Sequence, residues 1–172
     1  MKIRNVVVIV NEMVQHGVID RYAIGGAVGA TFYLEPVATY DVDIFVNFRQ
    51  QPGSLLITPQ PIFDFLLPRG GTLEGEYIVV EGWPLQFLPP TGPLAEEALA
   101  EAREFDIDGV PVSVFTAEHL AAVALETGRA KDKTRVVQFV ESGVLDPAKF
   151  FEILTRHGLT QKWETFQRRV LE

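Results

Sequence analysis

The sequence predicts an α+β fold: a small mixed β-sheet with flanking helices, followed by a C-terminal helical segment. Three observations carry this. Short apolar runs rich in β-branched and aromatic residues recur up to about residue 115. Helical signals lie between and around them, and from Thr116 onward only helical signals remain. Asp108-Gly109 sits between the runs Phe105 to Ile107 and Val110 to Phe115, a strong hairpin signal of the I′ type. The chain thus divides into a sheet-bearing part, 1–115, and a helical part, 116–172, packed on it.

The elements follow in order. Residues 2–17 carry apolar side chains at Ile3, Val6, Val7, Val10, Met13 and Val14, one face of a helix that Gly17 ends. His16 falls in its last turn and reads as a surface residue near the cap. Tyr22-Ala23-Ile24 is a short strand broken by Gly25-Gly26, and residues 27–34 read as a helix closed by Pro36. A strand runs from Val42 to Phe48. Residues 49–58, with Pro52-Gly53-Ser54, read as a turn. Residues 59–67 form a short helix ended by Pro68-Arg69-Gly70-Gly71. Tyr77 to Val80 and Leu85 to Leu88, separated by a turn at Gly82, read as a hairpin or as adjacent strands.

Pro89-Pro90-Thr91-Gly92-Pro93 is a break before a helix at about 94–103. Thr116 caps a helix that stops at Gly128, and Asp146-Pro147 starts another that stops at Gly158. A last helix covers about 161–171 and buries Trp163 and Phe166. His119 and His157 fall in these helices without a partner pattern and receive no site role.

Composition narrows the function classes. With 172 residues and 47% hydrophobic content the chain builds a core, which excludes disorder. It has no cysteine, so disulfides and thiolate chemistry are excluded and a reducing cytoplasm is expected. A net charge of −8 opposes broad nonspecific binding to a phosphate backbone. No apolar run has membrane-spanning length, and the first residues lack a small-residue cleavage site, so neither a membrane span nor a signal peptide is expected.

The chemistry concentrates between Tyr22 and Val46. Alternation along the strand puts Asp41 and Asp43 on one face and Val42 and Ile44 on the other. Two residues of rise separate the two acids by roughly 6–7 Å at Cα. Like charges that close at the head of a buried strand resist ionising together, and a divalent cation removes the difficulty. Hard oxygen donors favour Mg²⁺ or Mn²⁺, which combine a few carboxylates with substrate phosphates. Gly25-Gly26 permits positive φ and close backbone approach, and a helix start after it is suited to phosphate.

These residues resemble a known family. Gly25-Gly26, a helix-length spacer and Asp41-x-Asp43 on a strand look like the signature of the nucleotidyltransferase superfamily, the polymerase-β-like fold. The form with Gly-Gly and Asp-Val-Asp-Ile-Phe-Val is most similar to the minimal AbiEii-type toxin-like nucleotidyltransferases. The resemblance implies two-metal transfer of a nucleoside monophosphate from an NTP to a hydroxyl of RNA, protein or a small molecule. It implies that Gly25 and Gly26 touch the triphosphate and that Asp41 and Asp43 hold the metal. It implies a third carboxylate from a later strand, at the position of Gln86 in Trp83-Pro-Leu-Gln-Phe-Leu88. A neutral amide is a poor substitute for such a carboxylate.

A comparable Arg/Lys-Asp-Lys segment in the family supplies a lysine near the phosphates. Here Gly128-Arg129-Ala-Lys131-Asp132-Lys133 is the counterpart, with Lys131 or Lys133 as the cation. Two readings follow: a Mg²⁺-dependent nucleotidyltransferase, or a degenerate module that binds nucleotide or a cognate protein partner in a toxin–antitoxin-like complex without turnover.

Overall fold

The computed structural model describes residues 3–49 and 52–172. The predicted turn at 49–58 includes residues 50 and 51, which lie outside the described residues. The first helix, α1 (Ile3–Gln15), is followed by β1 (Tyr22–Ile24), α2 (Gly26–Ala30), β2 (Val42–Val46) and α3 (Gln60–Leu66). Then come β3 (Thr72–Glu74), β4 (Tyr77–Val80), β5 (Trp83–Leu88), α4 (Pro93–Ala100), β6 (Arg103–Ile107) and β7 (Val110–Val114). Four helices close the chain: α5 (Ala117–Thr127), α6 (Ala130–Ser142), α7 (Pro147–Arg156) and α8 (Thr160–Phe166), the last continuing as a wider turn over Gln167–Leu171.

The strands form one mixed seven-stranded sheet in the order β3-β4-β5-β2-β1-β7-β6. β2 lies antiparallel to β1 and parallel to β5, and β1 lies parallel to β7. The α+β class with a mixed sheet and flanking helices is therefore as the sequence predicts. Each face of the sheet has its own core. Val42, Ile44 and Val46 point to one side, against Val6, Val7, Val10 and Met13 of α1 and Ile62 and Leu66 of α3. The other side carries Ala23, Phe45 and Phe115, packed by Leu94 and Ala98 of α4, Leu120 and Ala124 of α5, Val136 and Phe139 of α6, and Phe150 of α7. Alternation along β2 thus sends Asp43 and Phe45 to the face that α4–α7 cover.

Local chemistry explains most boundaries. Thr116 Oγ1 accepts the His119 N–H at the start of α5, and Asp146 Oδ1 accepts the N–H groups of Ala148 and Lys149 at the start of α7. Gly128, Gly143 and Gly158 end helices at positive φ. Asp108 (φ 50°) and Gly109 (φ 81°) both lie in the left-handed region, as a type I′ hairpin requires.

Four expectations need correction. The helix expected at 27–34 spans only Gly26–Ala30. Thr31 and Phe32 bond back three residues, to Val28 and Gly29, and the Thr31 hydroxyl also reaches Val28 O, so the coil tightens and stops. The helix at about 94–103 ends at Ala100 because Arg103 already pairs in β6. Strand β3 went unpredicted, being three exposed residues on the sheet edge. The segment around Lys131, which falls between the helices expected at Thr116–Gly128 and Asp146–Gly158, is the first turn of α6, a 13-residue helix.

Among the described residues, no helix is long and apolar enough to cross a membrane.

Candidate functional site

The glycine bend and the aspartate strand meet. Gly25 N–H donates to the Asp43 carbonyl at 3.0 Å, which ties the end of β1 to β2. Gly26 adopts φ +58°, and a Cβ added there would lie 2.2 Å from Asp43 Oδ2. Gly25 is equally crowded, since a Cβ on it would stand 2.6 Å from the Phe45 ring. Both positions therefore need glycine for space, and Gly26 for conformation as well. The helix after them has five residues, so its dipole adds little, and any phosphate role of the bend rests on close backbone approach.

Parallel pairing of β2 with β5 sets Gln86 beside Asp43 in register. Both side chains line a cleft of about 270 Å³, bounded below by Gly26, Phe45 and Phe115 and above by α5 and α6. Asp43 is half-buried. Burial raises its pKa above the ordinary aspartate value, and the nearby negative charge of Asp41 pushes it the same way. Lys131, Arg129 and Arg135 oppose that shift, so the charges of three cations of α6 and its cap are felt at the carboxylate.

The sequence did not single out Arg129 or Arg135. Asp132 organises both. It is 1% exposed, accepts Arg129 Nε at 2.7 Å and the Arg129 backbone N–H at 3.2 Å through Oδ2, and lies 3.5 Å from Arg135 Nη1 through Oδ1. Residues 129, 132 and 135 share one helix face, which looks onto the cleft. A heptad-like set of Val136, Phe139 and Val140 would have disclosed α6 and with it this face.

Lys131 is exposed at the start of α6 and its charge is felt at Asp43. Lys133 is not brought to the cleft. It lines a separate cavity of about 330 Å³ with Lys162, Thr165 and Arg169. On a helix, successive residues turn by roughly 100°, so residues 131 and 133 stand about 200° apart and face opposite ways.

The donor atoms suit one hard divalent cation: the charge of Asp41 is felt at Asp43, and the missing side chain of Gly26 leaves space beside Asp43 Oδ2.

A second polar cluster lies elsewhere on the same face of the sheet. Glu97 of α4 accepts Arg156 Nε at 2.6 Å, and its Oε2 lies 2.9 Å from His119 Nε2 and 3.0 Å from His157 Nε2. Glu101, Glu97 and His119 offer ligand atoms within 4.8 Å of one another. The Arg156 and histidine bonds hold the Glu97 carboxyl at about 2, with the Arg156 bond the largest cause.

No protein-family model matches the chain, and no curated protein sequence matches it. Solved structures do. The chain is similar to an antigenic nucleotidyltransferase-like protein from Paracoccidioides brasiliensis, at 18% identity and a TM-score of 0.59, over 96% of this chain and 90% of that one. It is also similar to ANT(2″)-Ia, solved in complex with adenylyl-2″-tobramycin, at 15% identity and a TM-score of 0.55, over 90% of this chain and 96% of that one. Identities this low speak to architecture, and on that ground the chain has a nucleotidyltransferase-like fold.

Proposed function

We propose that the protein is a metal-dependent nucleotidyltransferase, which moves a nucleoside monophosphate from an NTP to a hydroxyl of RNA, protein or a small molecule. The observation that carries this reading is the packing of Gly26 against the Asp43 carboxylate, in a cleft edged by the cations of α6. The fold, shared with two nucleotidyltransferase-like structures, supports it.

In this reading Asp41 and Asp43 hold Mg²⁺ or Mn²⁺. The ion, when bound, draws charge from the phosphoryl oxygens. The backbone of Gly25-Gly26 approaches the triphosphate, with no side chain in the way. Arg129, which lines the cleft, and Lys131, whose charge is felt at Asp43, offset negative charge on the phosphates. The acceptor hydroxyl oxygen forms the new bond to the α-phosphorus as the bond to the β-phosphate oxygen breaks, pyrophosphate leaves, and the hydroxyl proton passes to a carboxylate or solvent. Lys133, on the far side of α6, has no part in this.

Titration calorimetry with an NTP and Mg²⁺ tests the reading. Wild type gives binding heat and Asp43→Asn gives none. Absence of heat from wild type, or equal heat from both, defeats it.

Gln86 favours a second reading. It stands in register with Asp43, where an acid would complete the donor set, and an amide neither carries charge nor accepts a proton well. The protein would then bind nucleotide, or a cognate protein partner in the manner of an AbiEii-type toxin–antitoxin pair, without turnover. Incubation with radioactive NTP and cell extract separates the two: labelling by wild type supports the enzyme, and labelling only by Gln86→Asp supports the degenerate module. A cytoplasmic setting goes with either reading.

A further inference from the structure

We propose that the cleft takes one divalent cation per bound nucleotide, not two, and that the Arg135 guanidinium supplies the positive charge of the missing ion by contacting the nucleotide's phosphates. The proposal deepens the reading above and rests on it: the cleft must bind a nucleoside triphosphate.

The donor set comes first. Two ions about 3.5–4 Å apart need carboxylates on both flanks, including one shared between them. The strands facing the cleft offer Asp43, where the charge of Asp41 is also felt, and beside it in register the neutral Gln86. One further carboxylate lines the cleft, that of Asp132, but it is engaged. Its Oδ2 takes both the Nε and the backbone N–H of Arg129, and its Oδ1 faces Arg129 Nη2 at 3.4 Å and Arg135 Nη1 at 3.5 Å. The amide of Gln86 and the guanidinium groups of Arg129 and Arg135 line the same cleft as Asp43, and the positive charge of the guanidinium groups disfavours a second ion inside it.

Arg135 is placed for the vacant duty. Its side chain is 13% exposed, lines the cleft together with Asp43 and Gln86, and its charge reaches Asp43. Among the described residues its head group bonds Asp132 through Nη1, which leaves further N–H donors of the fork for phosphate oxygens. Asp132, almost wholly buried, anchors the fork from behind and fixes its direction. A guanidinium is permanently charged and planar, which suits bidentate contact with a phosphate. The amide at 86 and the arginine at 135 thus compensate each other in one cleft.

Equilibrium dialysis with Mn²⁺ and a non-hydrolysable NTP, counting Mn²⁺ and nucleotide per chain, tests the idea, with electron paramagnetic resonance to report bound Mn²⁺. Wild type should hold one Mn²⁺ per bound nucleotide. Arg135→Ala should keep that ratio and weaken nucleotide binding roughly ten- to hundredfold, the scale of a lost charge-assisted hydrogen bond. Arg135→Lys should recover part of the loss. Gln86→Asp combined with Arg135→Ala should raise the ratio to two. A ratio of two in wild type overturns the proposal while leaving the nucleotidyltransferase reading intact. So does unchanged nucleotide affinity in a folded Arg135→Ala. Wild type that binds neither Mn²⁺ nor nucleotide overturns both.

Discussion

Gly26 holds φ +58°, and any side chain there would begin 2.2 Å from Asp43 Oδ2. The neighbour it would meet is the carboxylate at the centre of the proposed site, so relief must come from turning Asp43 away. Gly26→Ala should therefore lose nucleotide and Mn²⁺ binding by tenfold or more, and lose about 1–2 kcal/mol of stability from the left-handed backbone alone. Urea unfolding and Mn²⁺ titration of the same sample check both halves. Asp43 itself works against the fold. Its folded pKa lies above the ordinary value, mainly through burial, so the folded state binds the proton more tightly than the unfolded chain. Stability then falls as pH rises through the unfolded value toward neutrality. Asp43→Asn should raise the Tm of the metal-free protein at pH 7, with the gain fading toward pH 4. The meeting of Gly25-Gly26 with Asp43 was legible because they lie within one strand-turn-strand stretch, where period-2 alternation and glycine conformation are local facts; Asp41 falls just before β2. Lys133 misled because its merit was judged by charge and distance along the chain, whereas the direction of a helical side chain depends on the turn it occupies.

At the scale of elements, Glu97 ties three helices together. It belongs to α4 and bonds His119 of α5 and Arg156 and His157 at the end of α7. His119 is 1% exposed, so removing its acceptor strands a buried polar group. Glu97→Ala should cost about 1–3 kcal/mol, read from urea unfolding at pH 7. The sign of the pH dependence follows from the depressed carboxyl. Its folded value, about 2, lies below the unfolded 4.5, so its contribution is complete above 4.5 and disappears as pH falls toward 2. Wild type and Glu97→Ala should converge in stability between those limits. A gap as wide at pH 2 as at pH 7 would contradict this origin. None of it was visible in sequence, since the partners lie 22 and 60 residues apart and only the fold brings them together. Helix α6 was missed for a different reason. Its opening Ala-Lys-Asp-Lys-Thr-Arg reads as a solvated charge run, and the apolar face of Val136 and Phe139 begins only afterwards. Arg129 and Arg135 stayed hidden with it. The helices at Thr116 and Asp146 were plain because cap and stop residues mark them in the sequence itself.

For the molecule as a whole, the question is whether the stretches 1–115 and 116–172 are two units or one. One core belongs to both. Ala23, Leu94, Ala98, Leu99 and Phe115 come from the first stretch and Leu120, Ala121, Val136, Phe139, Phe150 and Leu154 from the second, and they pack as a single cluster on one face of the sheet. Without α5–α8 that face, including fully buried Phe115, would meet water at a cost of about 1.5–3 kcal/mol for each large side chain exposed. The proposed site has the same dependence, because Asp43 stands on β2, Asp41 just before it, and its cations on α6 and its cap. Folding and site assembly are thus one event. Calorimetry of the metal-free chain should show a single transition with calorimetric and van't Hoff enthalpies equal. Adding Mn²⁺ with a non-hydrolysable NTP at about 100 times Kd should move that one transition upward by roughly 2.7 kcal/mol of stabilisation, without splitting it. Two resolved transitions, with only the earlier one shifted by ligand, would mean that the helical stretch melts off an independently stable sheet and that the cleft forms by docking instead.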